Sequence, residues 1–296
     1  MKESLRSLMS NASVKPQNLF LLDDCSDPKV QVGLAEFALN SRNAQTAIHL
    51  YLNGRNMGVG NQFQSAFNIV KQVDPDLVIV SESDYYYRAE WLSDVLSVFE
   101  FAPYTIAIPG MDHQDMRLPE KYNDIFSKLM IEQFGEDIKG RPFMYKPFDL
   151  ITDRGNIKVF GVSNSCGCQI LHWNRIKRFI FNGLGAEQEY WKHMERGFHV
   201  GLDRSRASDG HMSCVLSFLW EKWALKNNID ISKNFGYLNI ADASIAFHAC
   251  NGGLNGQLDP EKFPEGGAFE GVNPGTFPED YNNWSRNKPC SSSIGQ

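Results

Sequence analysis

The sequence lacks any long hydrophobic run, and this absence argues against a membrane-spanning helix. None of its apolar segments approaches the ~20 residues that a helix needs to cross a bilayer. The amino-terminal residues, MKESLRSLMSNASVKPQ, also lack the apolar central region of a secretory signal peptide. We therefore expect a cytoplasmic protein without a membrane span.

Cysteine is scarce, and the six cysteines of the 296-residue chain form no C-x-x-C pair. Structural zinc sites are built from regularly spaced cysteines and histidines, so such a site is not indicated. The cysteines are instead expected to be buried thiols in a reducing compartment.

Positive charge is also in short supply, with 29 Lys and Arg against 35 Asp and Glu and a net charge of −6. A broad phosphate-binding surface is therefore not indicated. A local basic groove stays possible, because Lys177 lies beside Arg178 and Arg204 lies near Arg206.

The sequence does contain a short apolar strand that ends in two carboxylates. Residues 77–80, LVIV, form a continuous apolar run, which predicts a strand buried on both faces. Glu82 and Asp84 follow, and in an extended segment residues i and i+2 point to the same side, so both could reach one ion. Oxygen ligands at the end of a buried strand suit Mg²⁺ or Mn²⁺ carrying a substrate diphosphate. The alternative is a solvated acidic loop.

A second strand candidate, residues 18–22, ends at the neighbouring carboxylates Asp23 and Asp24. Open α/β sheets bind ligands at the carboxyl ends of their strands, and these carboxylates could accept hydrogen bonds from a ribose or a base. The same turn is also a good helix start, because either Ser26 or Asp27 could cap a helix that begins at Pro28. Both interpretations can hold together.

A third strand candidate, residues 47–52, leads into the glycine-containing segment 53–61, which includes Asn56 and Gly58. Glycines let the backbone approach a ligand closely, and residues 63–70 are helix-like. The spacing does not match the dinucleotide motif G-x-G-x-x-G, so a Rossmann oxidoreductase is not indicated. A plain turn explains the segment equally well.

These strands alternate with helices over the first 110 residues. Helices are predicted over residues 2–12 and 91–99, and a further strand over residues 104–109. The alternation predicts an α/β fold with a mostly parallel, doubly wound, Rossmann-like sheet, followed by an elaborated carboxyl-terminal half. In that second half, residues 159–170 are predicted to form a strand that contains glycine and other small residues.

Three of these segments together resemble the family 2 glycosyltransferases, which have the GT-A fold. LLDDCSDP is similar to the D-D-x-S-x-D turn of that family, and NGRNMGVGNQFQSAFN is similar to its N-x-G-x-x-x-A-x-N loop and helix. SESDYYYRAEWLSDVL resembles its D-x-D metal motif, with Glu82 at the first position, followed by a Trp-Leu helix. The three segments have the order and spacing of the family over about residues 3–110.

The resemblance implies a metal ion and a catalytic base. Asp84, with Glu82 nearby and His248 late in the chain, would hold Mn²⁺ or Mg²⁺. Asp209, ahead of a helix predicted over residues 212–226, would be the base, with Glu187 and Glu189 as fallback candidates. Without the resemblance, Asp209 is explained by helix capping and His248 by an ordinary buried histidine.

The resemblance also implies a nucleotide site. Asp23 and Asp24 would contact the nucleoside, with Asn56 and Gly58 of the following loop beside them. Residues 1–110 would form the half that binds the nucleotide sugar, residues 111–250 the acceptor side of the same domain, and residues 251–296 an irregular tail.

The function expected from the resemblance is metal-dependent transfer of a sugar from a nucleoside-diphosphate sugar, UDP-linked by preference, with inversion at the anomeric carbon. The acceptor could be a glycan, a protein or a modified nucleic acid. The family usually has a nucleotide-binding strand ahead of the first helix, where this sequence begins, so a catalytically impaired nucleotide- or sugar-binding module is one alternative. A nucleotidyltransferase is the other, although its usual Gly-rich, Lys- or Arg-containing loop is not seen near the first strand.

Overall fold

A computed structural model of the chain describes residues 2–12, 14–41, 45–82, 85–87, 91–110, 145–162, 168–199, 208–240 and 246–248. Asp84, the segment 111–144 and the tail 251–296 lie outside the described residues, while Asp209 and His248 are described in their backbone alone. The sequence-based statements about the tail therefore remain predictions.

The described residues form seven helices and ten strands. The helices are α1 Lys2–Asn11, α2 Pro28–Asn40, α3 Val59–Val73, α4 Trp91–Phe101, α5 Trp173–Phe179, α6 Ala186–His199 and α7 Ser208–Lys226. The strands are β1 Asn18–Asp23, β2 Ala47–Leu52, β3 Leu77–Val80, β4 Tyr85–Tyr87, β5 Ala107–Pro109, β6 Phe148–Thr152, β7 Gly155–Val162, β8 Gln169–His172, β9 Tyr237–Ile240 and β10 Ala246–His248. Among the described helices, none combines the length and the apolar character needed to cross a membrane.

The main sheet has six strands in the order β3-β8-β5-β9-β7-β6, and β1-β2 and β10-β4 form two further pairs. The α/β class is confirmed, but strand direction differs from the prediction of a mostly parallel sheet. Among the described strands, only the pairs β1-β2 and β5-β9 are parallel, and the other five pairs are antiparallel. The difference arises largely because β8 runs antiparallel between β3 and β5 and because β6 and β7 form a hairpin.

The main sheet is covered on both faces, as a doubly wound fold requires. Helices α3, α5, α6 and α7 pack on one face, and α1 and α4 pack on the other. Neighbouring residues of β8 show the division, because Leu171 joins the first core and Ile170 joins the second. The alternation of side chains along a strand thus supplies both hydrophobic cores.

Strand β3 has the predicted bounds, but its burial differs from the prediction. All four residues are half-buried, and β3 is the outermost strand of the sheet among the described strands. A continuous apolar run was expected to be buried on both faces of the sheet. Here β8 alone pairs with β3 within the part of the chain that the structure describes.

Candidate active site

A glycine loop, defined here as residues 53–58, connects β2 to α3 and lies against the end of β1. The carboxylate of Asp24 accepts hydrogen bonds from the backbone N–H of Met57 at 2.7 Å and of Gly58 at 2.8 Å. Its Oδ1 also accepts a bond from Asn53 Nδ2 at 3.3 Å. The sequence-predicted residues Asp24 and Gly58 are therefore in direct contact, and Asp24 fixes the course of the loop.

Asn56 belongs to the same cluster. Its Oδ1 accepts a hydrogen bond at 3.0 Å from the Gly58 N–H that Asp24 also binds. Gly58 has a φ of +77°, a conformation that residues with a Cβ rarely adopt, and it immediately precedes α3 without a side-chain cap. The position therefore favours glycine because of its backbone conformation.

Asp23 lies at the last position of β1 and is buried. Its Oδ2 accepts hydrogen bonds from Ser26 N at 3.1 Å and from Gln31 Nε2 at 2.8 Å, so it ties the turn to α2. The predicted helix start is confirmed, since Asp27 precedes α2 and its side chain accepts a bond from Lys29 N. Both interpretations of the turn therefore remain compatible.

The two carboxylates at the end of β1 are held in the ionised form. Burial raises the pKa of Asp23, but the hydrogen bonds from Ser26 and Gln31 outweigh it, so the pKa is lowered. Burial likewise raises the pKa of Asp24, and the backbone N–H of Met57 leads the hydrogen bonds that lower it overall. Hydrogen bonds donated to a carboxylate stabilise its charged form.

An open cleft of about 420 Å³ lies beside the glycine loop. Its lining combines loop residues with the first turns of α3: Asn53, Gly54, Arg55, Met57, Asn61 and Ser65. The size is within the range of roughly 300–1,000 Å³ that is usual for small-molecule sites. Amide, hydroxyl and guanidinium groups dominate this lining, which suits a polar ligand with hydrogen-bonding edges and negative charge.

The end of β3 forms a second cluster around a buried thiol. Tyr87 Oη and Cys168 Sγ are 3.1 Å apart, and both residues are buried. Burial raises the pKa of Cys168 to about 12, and the charge of nearby Glu82 adds to that rise. Glu82 itself is exposed. The acidic motif therefore begins at the surface above a buried, uncharged pair.

The strand register brings His248 to this second cluster. Strand β10 pairs antiparallel with β4, so that His248 lies opposite Tyr85 and Ala246 lies opposite Tyr87. Tyr85 directly follows Asp84 in the sequence. A histidine more than 160 residues away in the chain is thus placed in backbone register beside the acidic motif.

No group of three His, Cys, Asp or Glu side chains that could hold a metal is found among the side chains that the structure describes. Two of the three predicted ligands, Asp84 and His248, are not among those side chains. The predicted metal set therefore remains a prediction, with Glu82 the one member whose side chain is described.

Asp209 is the second residue of α7, which begins four residues before the predicted helix. The other acidic candidates for a base, Glu187 and Glu189, are engaged in surface ion pairs with Lys71 at 2.8 Å and with Lys222 at 3.1 Å.

Sequence reasoning missed several residues of both clusters. The role of the Met57 backbone N–H cannot be predicted from a pattern of side chains, although the loop that contains it was predicted to approach a ligand. Cys168 and Tyr87 are 81 positions apart in the sequence, and no local pattern relates them. Arg55 and Asn61 could have been found, because both lie in the quoted glycine-rich segment.

The chain has a detectable likeness to known proteins. It is similar to the crystal structure of mouse xyloside xylosyltransferase 1 in its apo form, with a TM-score of 0.40 and 11% identity over 83% of this chain and 90% of that one. A likeness of this size does not by itself establish a shared fold. No curated protein matches the chain significantly.

The model of one protein family, described as glycosyl transferase family 2, matches residues 1–166, which is more than half of the chain. The match includes all three motifs on which the resemblance was based. The family implies a Rossmann-like fold and a nucleotide-sugar donor, and its members generally depend on a divalent metal ion. The chain therefore belongs to glycosyl transferase family 2 and is a glycosyltransferase.

Proposed function

We propose that this glycosyltransferase moves a sugar from a UDP-linked donor to an acceptor hydroxyl, with inversion at the anomeric carbon and with the help of Mn²⁺ or Mg²⁺. The observation that carries the proposal is the pairing of β10 with β4, which places His248 opposite the residue that follows Asp84. A carboxylate and an imidazole that share one ion are a reasonable ligand set for Mn²⁺.

The nucleotide would bind at the end of β1 and at the glycine loop. Asp23 and Asp24 would contact the nucleoside, and Asn56 and Gly58 would line the same site. Support comes from the contact of Asp24 with Gly58 and from the polar cleft of about 420 Å³ beside it. Because Asp24 also binds the loop amides, its contribution includes the placement of Asn56 and Gly58.

The metal ion would be held by Glu82, Asp84 and His248. Their donor set of two carboxylates and one imidazole fits Mn²⁺ well and Mg²⁺ acceptably. A divalent ion at this position would neutralise negative charge on the diphosphate leaving group. The chain's own part is to keep Glu82 exposed at the end of β3, where it can meet the ligand.

Asp209 would act as the general base. It would accept the proton of the acceptor hydroxyl while that oxygen bonds to the anomeric carbon and the nucleoside diphosphate departs with the electrons of the broken bond. Its backbone lies in the first turn of α7, and a carboxylate must be ionised to take a proton. A single displacement of this kind inverts the anomeric centre.

Three consecutive segments of the chain would have different roles. Residues 1–110 would bind the nucleotide sugar, residues 111–250 would form the acceptor side, and residues 251–296 would be an irregular tail. The first two segments share the six-stranded sheet, which supports their description as halves of one domain.

The direct test is nucleotide binding measured by thermal shift. UDP, GDP and their sugars would be compared with and without Mn²⁺, on the wild type and on Asp84→Ala. A ligand that binds the folded state alone at 100 times its Kd stabilises that state by about 2.7 kcal/mol. The expected result is a Mn²⁺-dependent rise in Tm with UDP that Asp84→Ala abolishes.

A matched control is Asp149→Ala. Asp149 is an exposed carboxylate on β6, at the opposite edge of the main sheet from β3. This variant should keep the full Mn²⁺-dependent shift. A shift with GDP alone would contradict the proposed nucleotide, and a shift that is independent of Mn²⁺ would contradict the proposed metal site.

A further inference from the structure

Four buried residues form a closed ring of contacts behind the acidic motif. Tyr87 of β4 contacts Cys168 through its hydroxyl, with Oη and Sγ 3.1 Å apart. The carbonyl of Cys168 accepts a hydrogen bond from Gly110 N at 2.7 Å, and the carbonyl of Gly110 accepts one from Ala246 N at 3.0 Å. Ala246 lies opposite Tyr87 in the β10-β4 pair, which closes the ring.

The ring is tightly packed. A Cβ added to Gly110 would lie 2.6 Å from Cys168 Sγ, a distance that real Cβ contacts do not show. Tyr87, Cys168 and Ala246 each expose 1% of their surface or less. Interiors packed at this density transmit small displacements, so moving one member must move its neighbours.

The ring reaches the acidic motif through Ser81. The hydroxyl of Ser81 donates a hydrogen bond to the carbonyl of Glu82 at 3.0 Å, and it also bonds to the Tyr87 hydroxyl. One side of the ring therefore adjoins the backbone of Glu82. The other side is the strand that carries His248, two residues after Ala246.

We propose that Tyr87, Cys168 and Gly110 are positioning residues that set the spacing between the acidic motif and His248, and thereby the affinity of the enzyme for its divalent cation. The inference rests on the proposed function, since it assumes that Asp84 and His248 share one ion. Groups that orient metal ligands without touching the metal typically change metal affinity about 10- to 100-fold when they are replaced.

The test is direct Mn²⁺ binding by the protein alone, measured from the electron paramagnetic resonance signal of free Mn²⁺. The ring variants are Tyr87→Phe, Cys168→Ala and Gly110→Ala, at a temperature where circular dichroism shows each to be folded. We expect each to bind Mn²⁺ at least about 10-fold more weakly than the wild type. Cys168→Ser keeps a hydroxyl to meet Tyr87, so it should bind more tightly than Cys168→Ala.

Each ring variant has a control of the same chemistry in another part of the core. Tyr190→Phe and Cys214→Ala change a buried tyrosine and a buried cysteine in the core on the opposite face of the sheet. Gly161→Ala places a Cβ 2.3 Å from the ring of Phe235, so it creates a comparable clash away from the four contacts. These controls should keep Mn²⁺ affinity within about two-fold of the wild type.

The outcomes separate this inference from the proposed function. Wild-type protein that does not bind Mn²⁺, or binds it as well as Asp84→Ala does, overturns the metal site itself. If Asp84→Ala loses binding while Tyr87→Phe keeps wild-type affinity, the metal site stands and the positioning role is wrong. If Gly110→Ala does not fold, Tyr87→Phe decides the question alone, because it removes only the hydroxyl that contacts Cys168 and keeps the aromatic side chain in place.

Discussion

Asp24 gives the sharpest prediction, because its carboxylate is the structural support of the glycine loop. Replacing Asp24 with Asn leaves one oxygen to accept the N–H of either Met57 or Gly58, and turns a donor toward the other. Replacing it with Ala removes both backbone bonds and the bond from Asn53 Nδ2 as well. Since hydrogen bonds to a charged group contribute about 1.5–3 kcal/mol each, the full loss would be several kcal/mol in a dry interior.

The loop is partly exposed, so water can replace the lost acceptor, and the free-energy cost is smaller than it would be in a dry interior. Gly58 and Asn53 are half-buried, and Met57 is exposed. We expect the loop to open more easily by about 1 kcal/mol in Asp24→Asn and about 2 kcal/mol in Asp24→Ala. Local openings of this kind need not change global unfolding, so they are best measured at the amides themselves.

The assay is native-state hydrogen exchange of the Met57 and Gly58 amides by nuclear magnetic resonance. With 1.4 kcal/mol equal to a factor of ten, exchange should accelerate about five-fold in Asp24→Asn and about thirty-fold in Asp24→Ala. Asp27→Asn is the matched control, because Asp27 lies in the same turn but accepts its bond from Lys29. Unchanged exchange at both amides in Asp24→Ala would refute the reasoning.

Three further predictions concern stability, each measured by urea denaturation. Burial, followed by the charge of Arg175, lowers the pKa of His172 from 6.5 to about 4, so the contribution of neutral His172 to the free energy of unfolding is complete above pH 6.5 and is lost as the pH falls toward 4. The free energy of unfolding of His172→Phe should therefore fall less across that pH window than that of the wild type, and equal slopes would contradict this. The Arg175 guanidinium donates hydrogen bonds to three backbone carbonyls around the end of α4, so Arg175→Met should lower the free energy of unfolding by about 2–4 kcal/mol and Arg175→Lys should lower it less. No change in either variant would show that solvent replaces these bonds. Gly236→Ala places a Cβ 2.7 Å from the Trp220 ring and should lower the free energy of unfolding by about 1–3 kcal/mol. A Cβ added at Gly54 would meet no atom within 4 Å, so Gly54→Ala should leave stability nearly unchanged, and equal losses in the two variants would contradict the packing argument.

Local patterns were sufficient to predict the strands that lead to the site. Residues 47–52 and 77–80 have the predicted bounds, because each is a run of apolar residues that ends at polar ones. Helix α7 begins earlier than predicted, since its first residues, Ser208-Asp209-Gly210-His211, contribute no apolar position to the periodic pattern. Family membership also followed from sequence, because the three motifs occur in the expected order.

The pairing of distant strands could not be predicted in the same way. Residues 159–170 were expected to form one strand, whereas β7 ends at Val162 and β8 begins at Gln169, in a different place in the sheet. The direction of β8 between β3 and β5 depends on contacts across the whole chain, which local periodicity does not encode. The same limit applies to Tyr87 and Cys168, whose contact exists only after these strands have assembled.

We propose that this glycosyltransferase is metal-dependent and uses a UDP-linked donor, and hydrolysis of the donor tests this proposal most directly. Wild type and Asp84→Ala would be incubated with a panel of UDP- and GDP-sugars, with Mn²⁺ or with EDTA, and the released nucleotide would be quantified. Water can replace the unknown acceptor as the nucleophile at a slow rate. We predict UDP release from one UDP-sugar that requires Mn²⁺ or Mg²⁺ and is lost in Asp84→Ala. Release that persists in EDTA, or that Asp84→Ala retains in full, would contradict the account.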